Sequence, residues 1–548
     1  MASSATEVRH PVIGAVRGLP ADDVIQFRGV KYADLSHWYD EARLIEYDGS
    51  GLVAERYGPQ AVSDPEGVHG EHLIIQKALP VGDFPGISGV DCLNLNVTIP
   101  RETKGSRALP VLVFIHGGGF MTGSNWWPQY DTKKLVQLSV KTESPIIAVT
   151  INYRLGAPGF LTSKDLRAAG FKSNHGHHDQ RLALQWVKKY IAGFGGDPAQ
   201  VTVVGESAGG SESLPRPEPV SSPPPSLTSL VSTVRLLHAK EPLASRIVLL
   251  GGSPPALPPM TAEAAERAYE AVVEALGLEK LHTAGRIEAL CKTRPEELLE
   301  KIEGKMQFLP VVDGDTVPDI PTFEAAASGT LVPKGTACKS VMVGYAPFDG
   351  SIFGFVALPQ RRENIAAAFT QSVTSTLGDA PDVAAKLLKA YGIDDGSKSD
   401  EEAFINVLQL ASDIGFQAPA RRFAASFPGD SYLVEFAERN PWDGPFRGFG
   451  THVLDVAFLF QNYNEHLDAG QRASAELFAA DVVDFTYGKV AWEKHKDGNG
   501  LAVYQNGTRA YKEGDAGTTQ RYRSLMELGE VVGLDALMGV WEKFLFPH

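Results

Sequence analysis

Gly205-Glu-Ser207-Ala-Gly209 sets a serine between two glycines in a G-x-S-x-G pattern. Glycines leave no Cβ to clash in a sharp turn, so such a turn at a strand end can lift the serine Oγ clear of the sheet. The apolar run Val201–Val204 stands directly before it, as that geometry requires. A serine attacking a carbonyl also needs backbone N–H groups aimed at the negative oxygen it creates. His116-Gly-Gly-Gly-Phe120 follows the apolar run Val111–Ile115 and can supply them. By itself the second segment reads as a glycine-rich turn, and the pentapeptide alone is a weak signal. Together they point to nucleophilic acyl chemistry at Ser207.

Such groups need a rigid support. Short apolar runs rich in β-branched residues recur at Val111–His116, Ile146–Tyr153, Val201–Gly205, Ile247–Leu250 and Val341–Gly344. Continuous rather than alternating runs suit strands buried on both faces of a mainly parallel sheet. A helix is predicted over Ala262–Leu276, where Ala265, Tyr269, Val272, Val273 and Leu276 share one stripe and Gly277 can close the end. Strands alternating with helices predict an α/β, doubly wound architecture.

The 548 residues, 43% hydrophobic and 21% charged, are ordinary globular values and can bury a large core. A formal charge of −15 argues against nucleic acid, whose phosphates call for a basic surface. It argues equally against an anionic membrane surface. Three cysteines, Cys92, Cys291 and Cys338, cannot build a disulfide framework. The N-terminus shows no apolar signal region and no run is long enough for a membrane span. A cytoplasmic setting is therefore expected, with the sequons at Asn96 and Asn506 unglycosylated.

At family level, Phe194-Gly-Gly-Asp-Pro-Ala-Gln-Val-Thr-Val-Val-Gly-Glu-Ser207-Ala-Gly-Gly210 resembles the serine signature of type-B carboxylesterases and cholinesterases. Asp91-Cys-Leu-Asn-Leu-Asn-Val97 is similar to that family's second signature. Asn152–Gly156, Asn174–Gln180 and Pro310–Gly314 fall where comparable segments stand, so the likeness runs over effectively the whole chain. It implies one α/β-hydrolase domain over residues 1–548, with a central, mostly parallel sheet flanked by helices and large helical C-terminal decorations.

The resemblance also implies the remaining site residues, in the chain order serine, acid, histidine. Asp349, before Gly350 and after the strand Val341–Gly344, matches the family's acid, which is more often Glu. Asp313 and Asp315 are rivals by residue type, but they precede the strand and read as turn residues. His452 matches the histidine loop, with Asp455 three positions on and Phe458–Phe460 after it. Gly118, Gly119 and Ala208 match the oxyanion hole. Trp126 and Trp127 either line the pocket or pack structurally. The cluster His175, His177 and His178 lacks the carboxylate or thiol spacing of a zinc site. No metal or cofactor is implied, and the partner is a small-molecule ester.

Two departures stand out. The position where many members carry a cysteine upstream of Cys92 holds none in Tyr57–Ser63, so Cys92 is expected as a buried thiol. A proline- and serine-rich insertion at 211–233, with six prolines, interrupts the helix expected after the nucleophile. Without Glu212–Thr233, Gly-Gly-Ser211 would run directly into family-like Val234-Arg-Leu-Leu. The insertion is either a surface loop that delays the helix or a retained intron.

The expected function is hydrolysis of small or medium neutral carboxylic esters through an acyl-enzyme. The alternatives are a catalytically impaired cholinesterase-like interaction protein or retained-intron form, and acyl transfer or amide hydrolysis on the same triad.

Overall fold

The computed structural model describes residues 7–102, 108–207, 241–254, 259–302, 306, 308–333, 335–393, 396, 398–495 and 500–546. Ala208 and the insertion at 211–233 lie outside them.

In chain order the first strands are β1 (Glu7–His10), β2 (Gly14–Ala21), β3 (Val24–Lys31), β4 (Ala33–Asp34), β5 (Arg43–Leu44) and β6 (Leu52–Ala54). The middle of the chain adds β7 (Asn94–Pro100), β8 (Leu109–Ile115), β9 (Ile147–Ile151), β10 (Gly196–Glu206) and β11 (Arg246–Leu250). The last are β12 (Ser340–Tyr345), β13 (Asp430–Phe436), β14 (Leu501–Gln505) and β15 (Thr508–Lys512). Among the described residues, thirteen of these form one sheet in the order β1-β2-β3-β7-β9-β8-β10-β11-β12-β13-β14-β15, with β6 beside β2. From β9 to β14 every neighbouring pair is parallel. The flanks, β1 to β3 with β7 on one side and β15 on the other, are antiparallel.

The parallel strands are continuous apolar runs because both faces are covered. Leu112, Phe114, Val204, Val248, Leu250 and Met342 enter one core. Val111, Val113, Ile115, Val203, Leu249 and Val343, on the alternate positions, enter the other. Full burial of each such side chain is worth roughly 1.5–3 kcal/mol, so the sheet is firmly held in its helical layers.

The expected strands are present with shifted ends. The run starting at Ile146 stops pairing at Ile151, short of Tyr153. There the chain turns aside: the Tyr153 hydroxyl donates to the His116 carbonyl at 3.0 Å, and Arg154 enters a buried ion pair with Asp179. The expected helix spans Ala262–Ala275, opened by the Thr261 hydroxyl accepting from the Ala264 amide. Gly277 follows at φ +70° and closes it.

Segments singled out in the sequence are joined by buried polar contacts. The Arg154 guanidinium donates from Nε and Nη2 to Asp179 at 2.8 Å each, and from Nη1 to the carbonyls of Trp38 and Asp40. The Asn174 side chain donates to the Val311 carbonyl, Asp313 and Thr316, so Asp313 is a turn residue. Asp315 pairs with Arg181 at 3.7 Å. The Asn96 side chain is buried and accepts from the Gly29 amide, which leaves its sequon no surface for a glycan.

Candidate active site

Parallel strands all present their C-terminal ends to the same edge, and open α/β sheets bind ligands there. Ser207 follows β10 directly, and its amide donates to the Leu250 carbonyl at the end of β11, 2.9 Å away. The hydroxyl of Ser207 is hydrogen-bonded to Nε2 of His452. On the other side of the imidazole, Nδ1 lies 2.7 Å from Oδ1 of Asp349. All three side chains are buried. Chain order alone separates them widely; the sheet edge brings them together.

Each member is held by its own loop. Asp349 sits four residues past β12, and its Oδ2 accepts from the Ala346 amide at 2.6 Å, which leaves Oδ1 for the imidazole. The next residue, Gly350, donates its amide to Ser412, and a Cβ there would fall 2.2 Å from the Leu408 carbonyl. His452 arrives on the loop after β13. That loop is pinned to the acid loop by the Phe348 amide, which donates to the Gly450 carbonyl at 2.9 Å, and by the bridge between Phe348 and Thr451. The His452 amide donates to the Ser351 hydroxyl, and the Phe416 ring stands edge-on to the imidazole, 5.3 Å between centres.

The glycine loop after β8 lies against the nucleophile turn. Gly118 has φ +101° and Gly119 φ +63°, and a Cβ on Gly118 would meet the Thr122 carbonyl at 2.0 Å. Gly117 approaches so closely that a Cβ would lie 2.6 Å from the Ser207 carbonyl oxygen. The His116 ring stacks on Tyr153 and bonds the Gly117 carbonyl at 2.8 Å, and burial pushes its pKa down to about 4, so it is neutral. Ala208, the third residue matched to the oxyanion hole, lies outside the described residues.

The other expected positions have these surroundings. Trp126 donates to Gln60 and lines a cavity of about 620 Å³ with Arg28, Tyr57 and Phe84, into which no member of the Ser207 group opens. Trp127 stacks on Tyr130. His175 packs edge-on against Tyr39, and His177 against Phe120 and Phe160. Cys92 is buried with its thiol pushed up to about 12 by burial, and Cys92, Cys291 and Cys338 are all free.

Gly251 was not singled out in the sequence, and Glu206 and Asp455 stood there only as parts of their motifs. Gly251, just past β11 at φ +65°, forms the floor under the imidazole: a Cβ there would lie 3.0 Å from Cε1 of His452 and 3.7 Å from Asp349 Oδ1. Its signal was present as Gly251-Gly252 at the end of an apolar run. Glu206, inside the pentapeptide, accepts from the Gly117 amide at 2.8 Å and from the Tyr130 hydroxyl at 3.0 Å. Asp455 is also buried, and desolvation, with repulsion from Asp349, pushes it up to about 7.

Residues 4–485 match the Carboxylesterase family. "Lipase 5" of Diutina rugosa is 30% identical over 450 residues, covering 76% of this chain and 75% of that protein. The "Para-nitrobenzyl esterase" of Bacillus subtilis (strain 168) is 36% identical over 400 residues, covering 71% of this chain and 70% of that one. Among solved structures, a "PNB esterase" superposes with a TM-score of 0.70 at 22% identity over 95% of this chain and 99% of that one, a likeness of fold. The match over most of the length, on a mostly parallel sheet flanked by helices, means that the chain belongs to the carboxylesterase family of α/β-hydrolases and is a serine hydrolase of carboxylic esters.

Proposed function

We propose that Ser207 is the nucleophile, His452 the general base and Asp349 its orienting acid. The observation that carries the reading is the buried chain Ser207–His452–Asp349 at the strand ends, facing the glycine loop. Asp349 accepts from Nδ1–H, which leaves Nε2 unprotonated and ready for the serine proton. As Oγ attacks the ester carbonyl, that proton passes to Nε2, and the imidazolium is stabilised by the Asp349 carboxylate. The amides of Gly118 and Gly119, with Ala208 by family pattern, bind the oxyanion. Nε2–H then protonates the departing alcohol. Water, giving its proton to the same nitrogen, attacks the acyl-enzyme, and collapse releases the acid and restores Ser207.

Small or medium neutral esters are the proposed substrates. The buried Glu206 carboxylate beside the site disfavours anionic ligands. The free cysteines fit a reducing compartment, in keeping with a cytoplasmic setting. The test is labelling by a fluorophosphonate probe together with hydrolysis of a panel of neutral aryl and alkyl esters. Both activities are expected to vanish in Ser207→Ala; retention of either by that variant would refute the assignment.

A further inference from the structure

The helix Gly67–Ile75 brings a second carboxyl group to the nucleophile turn. Glu71 on this helix is 2% exposed, and its Oε1 lies 3.0 Å from the Tyr130 hydroxyl. The same hydroxyl is 3.0 Å from Oε2 of Glu206, the residue before Ser207. A tyrosine hydroxyl has one hydrogen and can donate it to one carboxylate. The second contact therefore requires a hydrogen from a carboxyl group, and two ionised carboxylates around one buried hydroxyl would repel each other strongly.

The amide of Gly117 decides where that hydrogen sits. It donates to the same Oε2 of Glu206 at 2.8 Å, and a carboxylate is a much stronger acceptor than a carboxylic acid. Glu206 is thus the ionised member, and Glu71 carries the proton. The hydrogens run in one direction: Glu71 to the Tyr130 oxygen, Tyr130 to Glu206, with Gly117 donating from the far side. Gly117 opens the glycine loop, so the chain ends at the residues that face the ester.

We infer that Glu71 is a positioning residue for ester hydrolysis: its proton, relayed through Tyr130, keeps Glu206 in line with the Gly117 amide and so fixes the glycine loop against Ser207. The inference rests on the serine-hydrolase reading of this site. Burial pushes Glu71 up to about 7, against the opposing pull of its Tyr130 hydrogen bond and of His452. Burial and repulsion from Glu71 raise Glu206 well above the usual carboxylate range, so the pair shares one proton. The Gly117 amide, which pulls Glu206 back down, places that proton on Glu71. The titratable groups facing the pair are Tyr130 and Tyr153 near the glycine loop, His452 and Asp455 from the histidine loop, and Tyr463 beyond it. Ionisation of Glu71 turns the Tyr130 hydrogen towards it and places a second charge beside Glu206, which releases the loop. Activity then declines on the alkaline side for a reason separate from the histidine.

The test is the pH profile of kcat and KM on phenyl acetate for the full chain, Glu71→Gln and Tyr130→Phe, with fluorophosphonate titration counting competent Ser207 in each preparation. A glutamine cannot ionise and still offers a hydrogen to the Tyr130 oxygen. Glu71→Gln is therefore expected to lose the alkaline fall in kcat or move it up by about one pH unit or more. Tyr130→Phe is expected to lose the same fall, with kcat per labelled site lowered about tenfold and KM changed little. Profiles of wild type and Glu71→Gln that superimpose on labelled enzyme overturn the Glu71 assignment alone. Absence of labelling in the wild type overturns the serine reading and this inference with it.

Discussion

Oδ1 of Asp349 lies 2.7 Å from Nδ1 of His452, with both side chains at most 1% exposed. A carboxylate in this position fixes the imidazole tautomer and its rotation at once, because Oδ2 is already engaged by the Ala346 amide.

Asp349→Asn keeps the shape and removes the charge. An amide nitrogen facing Nδ1 forces the hydrogen onto Nε2, which then cannot accept from Ser207. The expected outcome is a fall in kcat of about 10⁴-fold with KM nearly unchanged, measured by steady-state hydrolysis of a neutral aryl ester. A loss under tenfold would count against Asp349 as the acid.

Gly251→Ala tests the floor of the site. The added methyl would lie 3.0 Å from Cε1 of His452 and demands a left-handed backbone, φ +65°, from alanine. The imidazole must tilt away from Ser207, and the fluorophosphonate inactivation rate is expected to fall by about 10- to 100-fold. Inactivation at the wild-type rate by a folded variant would show that the ring has room to spare.

The ion pair of Arg154 and Asp179 is buried on both sides, at 1% and 0% side-chain exposure. Deleting one partner strands the other charge in a dry interior. Asp179→Ala is therefore expected to lose about 3–5 kcal/mol in denaturant unfolding. Arg154→Met with Asp179→Leu in the same chain should recover much of that loss. If the double variant is as unstable as the single one, the backbone contacts of Arg154, not its charge, hold this corner.

Asp455 gives stability a pH slope. Its carboxyl is raised from 3.8 to about 7, chiefly by burial. Between those values the folded chain keeps a proton that the unfolded chain releases, so this group's contribution falls as pH rises through the window and stays low above it. Asp455→Asn carries no such slope. Relative to wild type, its unfolding midpoint is expected to rise between pH 5 and pH 8. A difference between the two proteins that is the same at both pH values would contradict the buried, protonated Asp455.

The sheet was legible where its strands are buried on both faces, because runs such as Val111–Ile115 and Val201–Val204 leave no other arrangement for their side chains. Its antiparallel flanks were not foreseen. β2 mixes exposed and buried positions with two glycines and a proline, and β15 is largely exposed, so neither carries an apolar run. The Asn506-Gly507 pair, at φ +53° and +75°, does mark the hairpin joining β14 to β15.

At the site, Ser207 and the glycine loop announce themselves through local backbone demands. Asp349 and His452 were reached through family resemblance and chain order, since an isolated Asp or His in a loop has no distinguishing pattern. Glu71 was out of reach: it meets Glu206 through Tyr130, across three segments distant in sequence.

The bridge between Phe348 and Thr451 gives the constellation a mechanical division. Through it, and through the Ser351 hydroxyl that accepts from the His452 amide, acid and base ride on one stiff two-loop unit. The nucleophile rides on another, the tip of β10. Any strain that reaches this end of the sheet parts the two units at the hydroxyl–imidazole junction and leaves the carboxylate–imidazole pair whole. An idle enzyme of this build is one whose base is correctly prepared and whose serine is out of register.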